Sequence, residues 1–229
     1  MRVKIIFFFA FLNICAYSQK QNSSIGFIEN KGQIVDQKGK QNKGILYLLN
    51  TPGINVQIKK NGFSYDIYEI IKSPIKEKEN LNSSIISNDP DNAPKYRLKR
   101  KNHRIDIDFI NSNQNIELIT EDKSSDYDNY YNIPNYPNGV TNVYRYKKIK
   151  YKNIYNNIDV DFFIPKDTTK AVEYNFVIKP GGKVSDIKMK FSGTKTELID
   201  NKIKMDVRFG QMEETLPLVG LKMKVKKNL

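Results

Sequence analysis

Ile158-Asp159-Val160-Asp161-Phe162 alternates apolar and acidic side chains without a break. Successive residues of an extended chain point to opposite faces. A period of two therefore places Ile158, Val160 and Phe162 on one side and both aspartates on the other. The pattern recurs at Ile105-Asp106-Ile107-Asp108-Phe109, from Ile54 to Lys59, and from Ile187 to Phe191. Turn-forming residues separate these runs: Pro52-Gly53, Asn61-Gly62, Pro137-Asn138-Gly139, Pro180-Gly181-Gly182 and Asp200-Asn201. Asn61-Gly62 and Asp200-Asn201 each stand between two strand patterns and predict hairpins. Short half-buried strands with turns about every ten residues predict an all-β fold, an antiparallel β-sandwich-like domain.

Working outward, residues 72–94 (KSPIKEKENLNSSIISNDPDNAP) break the pattern. Few of them are apolar, so the stretch reads as a flexible surface insert within one β-rich domain over 19–229. The first eighteen residues are different again. Arg2 and Lys4 precede an apolar run from Ile5 to Ala16, and Ala16-Tyr17-Ser18 supplies small residues before Gln19. A charged start, a short apolar core and a small-x-small exit describe a signal peptide, residues 1–18. The run is too short for a membrane-spanning helix, which needs roughly 20 apolar residues. Cys15 raises a lipoprotein alternative, against which stands Ile14 where a small residue normally precedes the lipidated cysteine. Cleavage after Ser18 leaves no cysteine and no transmembrane segment. The mature chain is expected to be secreted or on the cell surface and to hold together by burial alone.

The net charge is +13, and +11 once Arg2 and Lys4 are gone. Such a charge suits nucleic acid or anionic surfaces. Yet Lys, Asn and Ile are over-used together, and all three have AT-rich codons, so base composition alone accounts for much of the bias. The lysines are spread among acidic residues except in Lys95–Arg104 (KYRLKRKNHR). Nucleic acid is not the expected partner.

Catalytic constellations are sparse. A hydrolytic triad needs a base beside a nucleophile, and His103, inside the basic stretch, is the single histidine. It reads as an exposed strand-end residue. Asp106/Asp108 and Asp159/Asp161 are spaced as paired carboxylates for glycoside hydrolysis, although solvated strand faces look the same. Asp122, Asp126 and Asp128 have the closer spacing of a calcium loop; the metal question stays open, and no cofactor is implied. The densest feature is aromatic. Eight tyrosines fall between Tyr127 and Tyr155. Tyrosines flanked by Asn and Asp can form a sugar platform, and Tyr127, Tyr130, Tyr131 and Tyr136 are the candidate ligand-binding residues. Tyrosine is also a good strand residue, and ordinary packing on a β surface is the competing explanation.

Four stretches occur in order: Phe27-Ile28-Glu29-Asn30-Lys31-Gly32-Gln33, Ser125-Asp126-Tyr127, Lys150 to Val160 (KYKNIYNNIDV) and Glu173 to Gly182 (EYNFVIKPGG). In this order the chain resembles the N-terminal domain of large secreted surface proteins of Bacteroidota. The resemblance covers most of residues 25–215. It implies an all-β module, an exported location and no assigned catalytic residue. Such proteins often continue into propeller-type repeats or immunoglobulin-like domains and end in a type IX secretion sorting domain. Gly32 and Gly181-Gly182 fit turns that need positive φ, and Ile154, Ile158 and Val160 fit a sheet core. Two departures stand out. Gly182 replaces the usual Ala, and the chain ends at Leu229 in a Lys-rich tail where relatives add further strands. A short paralogue or a truncated reading frame, incomplete at the C-terminus, is the expectation.

The function expected is an exported, non-enzymatic surface or adhesion-type module. The partner is a cell-surface glycan or another surface protein, and the oligomeric state is open. A carbohydrate-binding module built on the 127–155 tyrosines is the alternative, and a carboxylate-dependent hydrolase is a third reading.

Overall fold

The computed structural model describes residues 25–36, 38–74, 96–133, 136–167, 170–216 and 220–221. The expected signal peptide, residues 75–94 of the insert and the end of the Lys-rich tail lie outside them. Fourteen strands follow one another: β1 (Phe27–Glu29), β2 (Tyr47–Thr51), β3 (Ile54–Lys59), β4 (Gly62–Pro74), β5 (Tyr96–Phe109), β6 (Glu117–Tyr130), β7 (Val140–Tyr155), β8 (Ile158–Phe163), β9 (Glu173–Ile178), β10 (Met189–Ser192), β11 (Thr196–Ile199), β12 (Lys202–Val207), β13 (Gly210–Thr215) and β14 (Gly220–Leu221). Among the described residues the helical content is one short 3-10 turn, Val184–Asp186. No helix there is long and apolar enough to cross a membrane. The fold is all-β, as the period-two runs predict.

Eleven strands form one sheet, in the order β10-β5-β4-β3-β2-β1-β7-β8-β9-β14, with β6 also on β7; β11-β12-β13 form a second. Pairing is antiparallel except for β14 on β9. The sixteen-residue β7 sets the architecture. β6 runs along one of its edges. The other edge pairs with β1 at Arg145 and Tyr146, then with β8 from Lys148 onward. One long strand thus belongs to two layers, and the sheet closes on itself as a sandwich. Inward residues of β3, β4 and β5 (Val56, Ile58, Phe63, Ile105, Ile107, Phe109) meet those of β7, β8 and β9. Ring contacts cross the gap: Phe63 lies 4.9 Å from Phe162 and 5.3 Å from Tyr174, and Phe109 lies 5.9 Å from Tyr151. Each such pair contributes about 0.5–1.5 kcal/mol beyond simple burial. Met205 of β12 is fully buried against the same core and docks the smaller sheet.

The turns obey two different rules. Asp200 and Asn201 both have positive φ, 50° and 60°, and link β11 to β12 as a two-residue turn. Asp and Asn adopt that conformation more readily than other side chains. The expectation at Asn61-Gly62 needs correcting. The turn residues are Lys60 and Asn61, and Gly62 already pairs with Lys59 in the ladder. Gly62 is required by contact, since a Cβ there would collide with the carbonyl oxygen of Ile107. Gly181 has φ of 89° as expected, but Gly182 does not have positive φ. A side chain at Gly182 would crowd the Asn157 carbonyl and the Ile158 and Ile178 side chains. The insert is also shorter than its composition suggests. β4 runs through Pro74 and pairs with β5 from Gly62↔Asp108 to Pro74↔Tyr96.

One polar group crosses the core. The Tyr151 side chain is fully buried, and its hydroxyl donates to the carbonyl of Lys59 or Gly62, which lie at 2.5 and 3.0 Å. Tyr151→Phe keeps the ring and strands those contacts, so denaturant unfolding is expected to show a loss of roughly 1–3 kcal/mol. An unchanged midpoint and slope would contradict the bridge.

Candidate functional site

The resemblance motifs resolve into structural devices. Asn30 donates through Nδ2 to the carbonyls of Asn42 and Ile45, and its Oδ1 accepts from the N–H of Gly32 at 2.9 Å. Gln33 accepts from Lys31 N–H and donates to the Glu29 carbonyl. Glu29 accepts from the Tyr144 N–H. These side chains hold the loop between β1 and β2. Asn153, in the third motif, has φ of 53° at a register break between β7 and β8. Its N–H goes to the carboxylate of Asp159, which is buried and also takes Lys179 Nζ at 2.6 Å. A bulge leaves a backbone donor outside the ladder, and Asp159 supplies the acceptor.

Five of the other six carboxylates flagged for chemistry are likewise held by cations. Asp106 accepts from Ser64 at 2.6 Å, from Lys59 at 2.9 Å and from Arg104. Against the opposing effect of burial, these donors hold its carboxyl well below the usual carboxylate range. Asp108 lies 3.4 Å from Lys59. Asp161 lies 3.1 Å from Lys148. Asp126 and Asp128, two of the calcium candidates, both contact the guanidinium of the buried Arg145. Asp122 sits apart at a positive-φ irregularity in β6. Among the described residues no group of three His, Cys, Asp or Glu is placed to hold a metal ion.

Crowding in sequence does not become crowding in space for the tyrosines. Tyr151 and Tyr155 are core residues. Tyr144 and Tyr146 are half-buried. Of the four candidate binding residues, Tyr127 and Tyr131 are exposed, at 50% and 65%. Tyr127 packs edge-on against Tyr144, 5.7 Å between centroids. Tyr130 is half-buried with its hydroxyl 3.3 Å from Asp128. The Tyr136 hydroxyl accepts from Gln41 at 3.0 Å and lies against Gly32. The exposed pair is therefore what remains of the predicted platform. His103 also differs from expectation. It is half-buried inside β5, Nε2 lies 2.9 Å from the Gly193 carbonyl, and Nδ1 accepts the Arg208 N–H at 3.2 Å.

Concavities among the described residues add two further groups of side chains. One, of about 540 Å³, lies between the layers and β13. Apolar residues such as Ile54, Ile67 and Met212 line it, and Glu214 sits among them. The Glu214 carboxylate receives the hydroxyl of Tyr65 at 3.1 Å and that of Tyr174. Burial pushes the Glu214 carboxyl up, and the two hydroxyl bonds pull it partly back. Burial and the nearby Glu214 charge raise both phenols well above their usual value. Sequence reasoning missed this group. The available signal was a carboxylate two residues after Met212, in an inward register position of β13. The second concavity is a groove of about 1300 Å³ beside β5, lined largely by cations and amides.

Fold and site together define an all-β, sandwich-like module in which Asp106, Asp108, Asp126, Asp128, Asp159 and Asp161 each lie in an ion pair. The chain belongs to the family described as a domain of unknown function, DUF7948, which matches residues 27–223. No curated protein and no solved structure matches the chain.

Glu214 makes the stability of the smaller sheet's docking pH-dependent. Its folded value is raised, so the contribution is complete below the ordinary carboxylate value of 4.5 and is lost as pH rises through the folded value. Glu214→Gln is expected to flatten the fall in melting temperature between that point and neutrality. A wild-type profile reproduced unchanged by the variant would show that another group sets it.

Proposed function

We propose that the chain is an exported, non-enzymatic surface module of adhesion type, the N-terminal part of a Bacteroidota-like surface architecture delivered by residues 1–18. Type IX secretion is the export route this architecture suggests. The observation that carries the reading is the use of the acidic side chains. Asp106, Asp108, Asp159 and Asp161 are each held by a lysine, and Asp106 also by an arginine. A hydrolase needs one carboxyl free to donate a proton and another free to attack or activate water. Carboxylates tied to cations on adjacent strands instead brace the sheet, which suits a chain that folds outside the cell without disulfides.

A second reading has its own support. Tyr127 and Tyr131 present exposed rings, the stacking surface a neutral-sugar platform needs. The full chain screened against a panel of glycosides and neutral glycans separates these roles. No turnover is expected. If the platform operates, Tyr127→Ala with Tyr131→Ala reduces glycan binding at least tenfold without changing the melting temperature. Glycoside turnover abolished by Asp159→Asn or Asp161→Asn would overturn the non-enzymatic reading, and binding to no neutral glycan would remove the platform.

A further inference from the structure

β5 outruns its partner. Its pairing with β10 ends at Asp106, and no described strand pairs along that edge from Tyr96 to Ile105. The larger groove lies against this edge, and three separate segments turn cations into it. Lys99, Arg100 and Lys101 come from β5 itself. Lys38 and Lys40 come from the loop between β1 and β2. Arg208 comes from the turn between β12 and β13. With Arg104, seven Lys and Arg side chains line the groove against two aspartates, Asp36 and Asp66.

The arrangement is built. The Asp36 carboxylate accepts the N–H of Lys38 at 2.8 Å and of Lys40 at 2.9 Å, closing a tight turn that projects both lysines. The same loop is anchored by Asn30, as described above. His103 accepts the Arg208 N–H and so fixes that turn beside β5. The Arg100 guanidinium stacks on Tyr68, 3.8 Å from the ring centroid, and donates to Asn102 at 2.7 Å. Among the described residues, Lys38, Lys40, Lys99 and Arg208 have no carboxylate in ion-pair range, whereas the lysines beside Asp106, Asp159 and Asp161 do. Charges on an open strand edge deter edge-to-edge association. That accounts for Lys99 and Lys101, which belong to the edge. It does not account for cations converging from two other segments.

We propose that this groove binds a polyanionic carbohydrate, one carrying carboxylate or sulfate groups. The unpaired cations would take the anionic groups, and the amides of Asn42, Asn55, Gln57 and Asn102 would take hydroxyls, since each offers both a donor and an acceptor. Single-stranded nucleic acid is less suited, because it needs broad aromatic rings on which bases stack, and the described lining holds no Phe, Tyr or Trp. The proposal deepens the surface-module reading and rests on it for where the ligand is met, while the groove's chemistry stands apart from Tyr127 and Tyr131.

Binding of the full chain to heparin, polygalacturonate, neutral dextran and single-stranded DNA, followed by calorimetry, tests it. Heparin or polygalacturonate is expected to bind, dextran is not, and affinity is expected to fall steeply with salt as screening shortens from about 10 Å at 0.1 M to about 3 Å at 1 M. Lys99→Glu with Arg208→Glu should weaken binding at least tenfold, as should Lys38→Glu with Lys40→Glu on the separate loop. All four side chains are exposed, so unchanged melting temperatures are expected. Tyr127→Ala with Tyr131→Ala should leave this binding intact. Polyanion binding indifferent to both charge-reversal pairs, tighter binding of DNA, or no binding to either polyanion would overturn the proposal. Failure of neutral-glycan binding alone would bear only on the tyrosine platform.

Discussion

The Tyr151 hydroxyl lies in a core otherwise closed by rings and branched aliphatic chains, against the carbonyls of Lys59 and Gly62. Those carbonyls flank the turn joining β3 to β4, at the far side of the sandwich from β7. A buried phenol without a partner is costly, so this bond fixes how far the two layers approach and in which register. Gly62 contributes again by lacking a side chain, which lets the hairpin lie against Ile107. The remaining structure follows from that closure. Phe63 reaches Phe162 and Tyr174, Phe109 reaches Phe176, and the smaller sheet seats Met205 and Glu214 at one end.

Outside the core the strands are stitched by charge. Lys148 contacts Asp161 on one neighbouring strand and Glu121 on the other. Lys59 bridges Asp106 and Asp108. Exposed pairs of this kind contribute little individually, but here they recur in register across β6, β7 and β8 and specify which strands lie together. Four of the groove cations, Lys38, Lys40, Lys99 and Arg208, differ in kind, because among the described residues they have no carboxylate in ion-pair range. The same residue type thus braces the sheet in one place and stands without a carboxylate partner in another.

The strands and the fold class were legible because burial on one face imposes a period of two, seen at 105–109 and 158–162. Asp200-Asn201 was legible because few residues accept positive φ. Other features depend on spatial neighbours. The double membership of β7 rests on which strand takes its second edge. The bulge at Asn153 changes which residues of β7 are buried, from Ile149 and Tyr151 before it to Ile154 and Tyr155 after it. The tyrosine run scatters across core, half-buried and exposed positions because it crosses β6, the loop after it and β7, with register shifts in both ladders, leaving two of the four candidate residues exposed. Glu214 and the groove were illegible for a similar reason. Their partners lie far away in sequence, at Tyr65 and Tyr174 in one case and on three separated segments in the other.

The proposed export to the cell surface is open to test by labelling intact producing cells with a membrane-impermeant amine reagent. Labelled lysine peptides from 31–216, recovered from the cell surface or the medium, and a mature N-terminus at Gln19 are the expected result. Recovery of unlabelled chain from the cytosol with residues 1–18 still attached would contradict it.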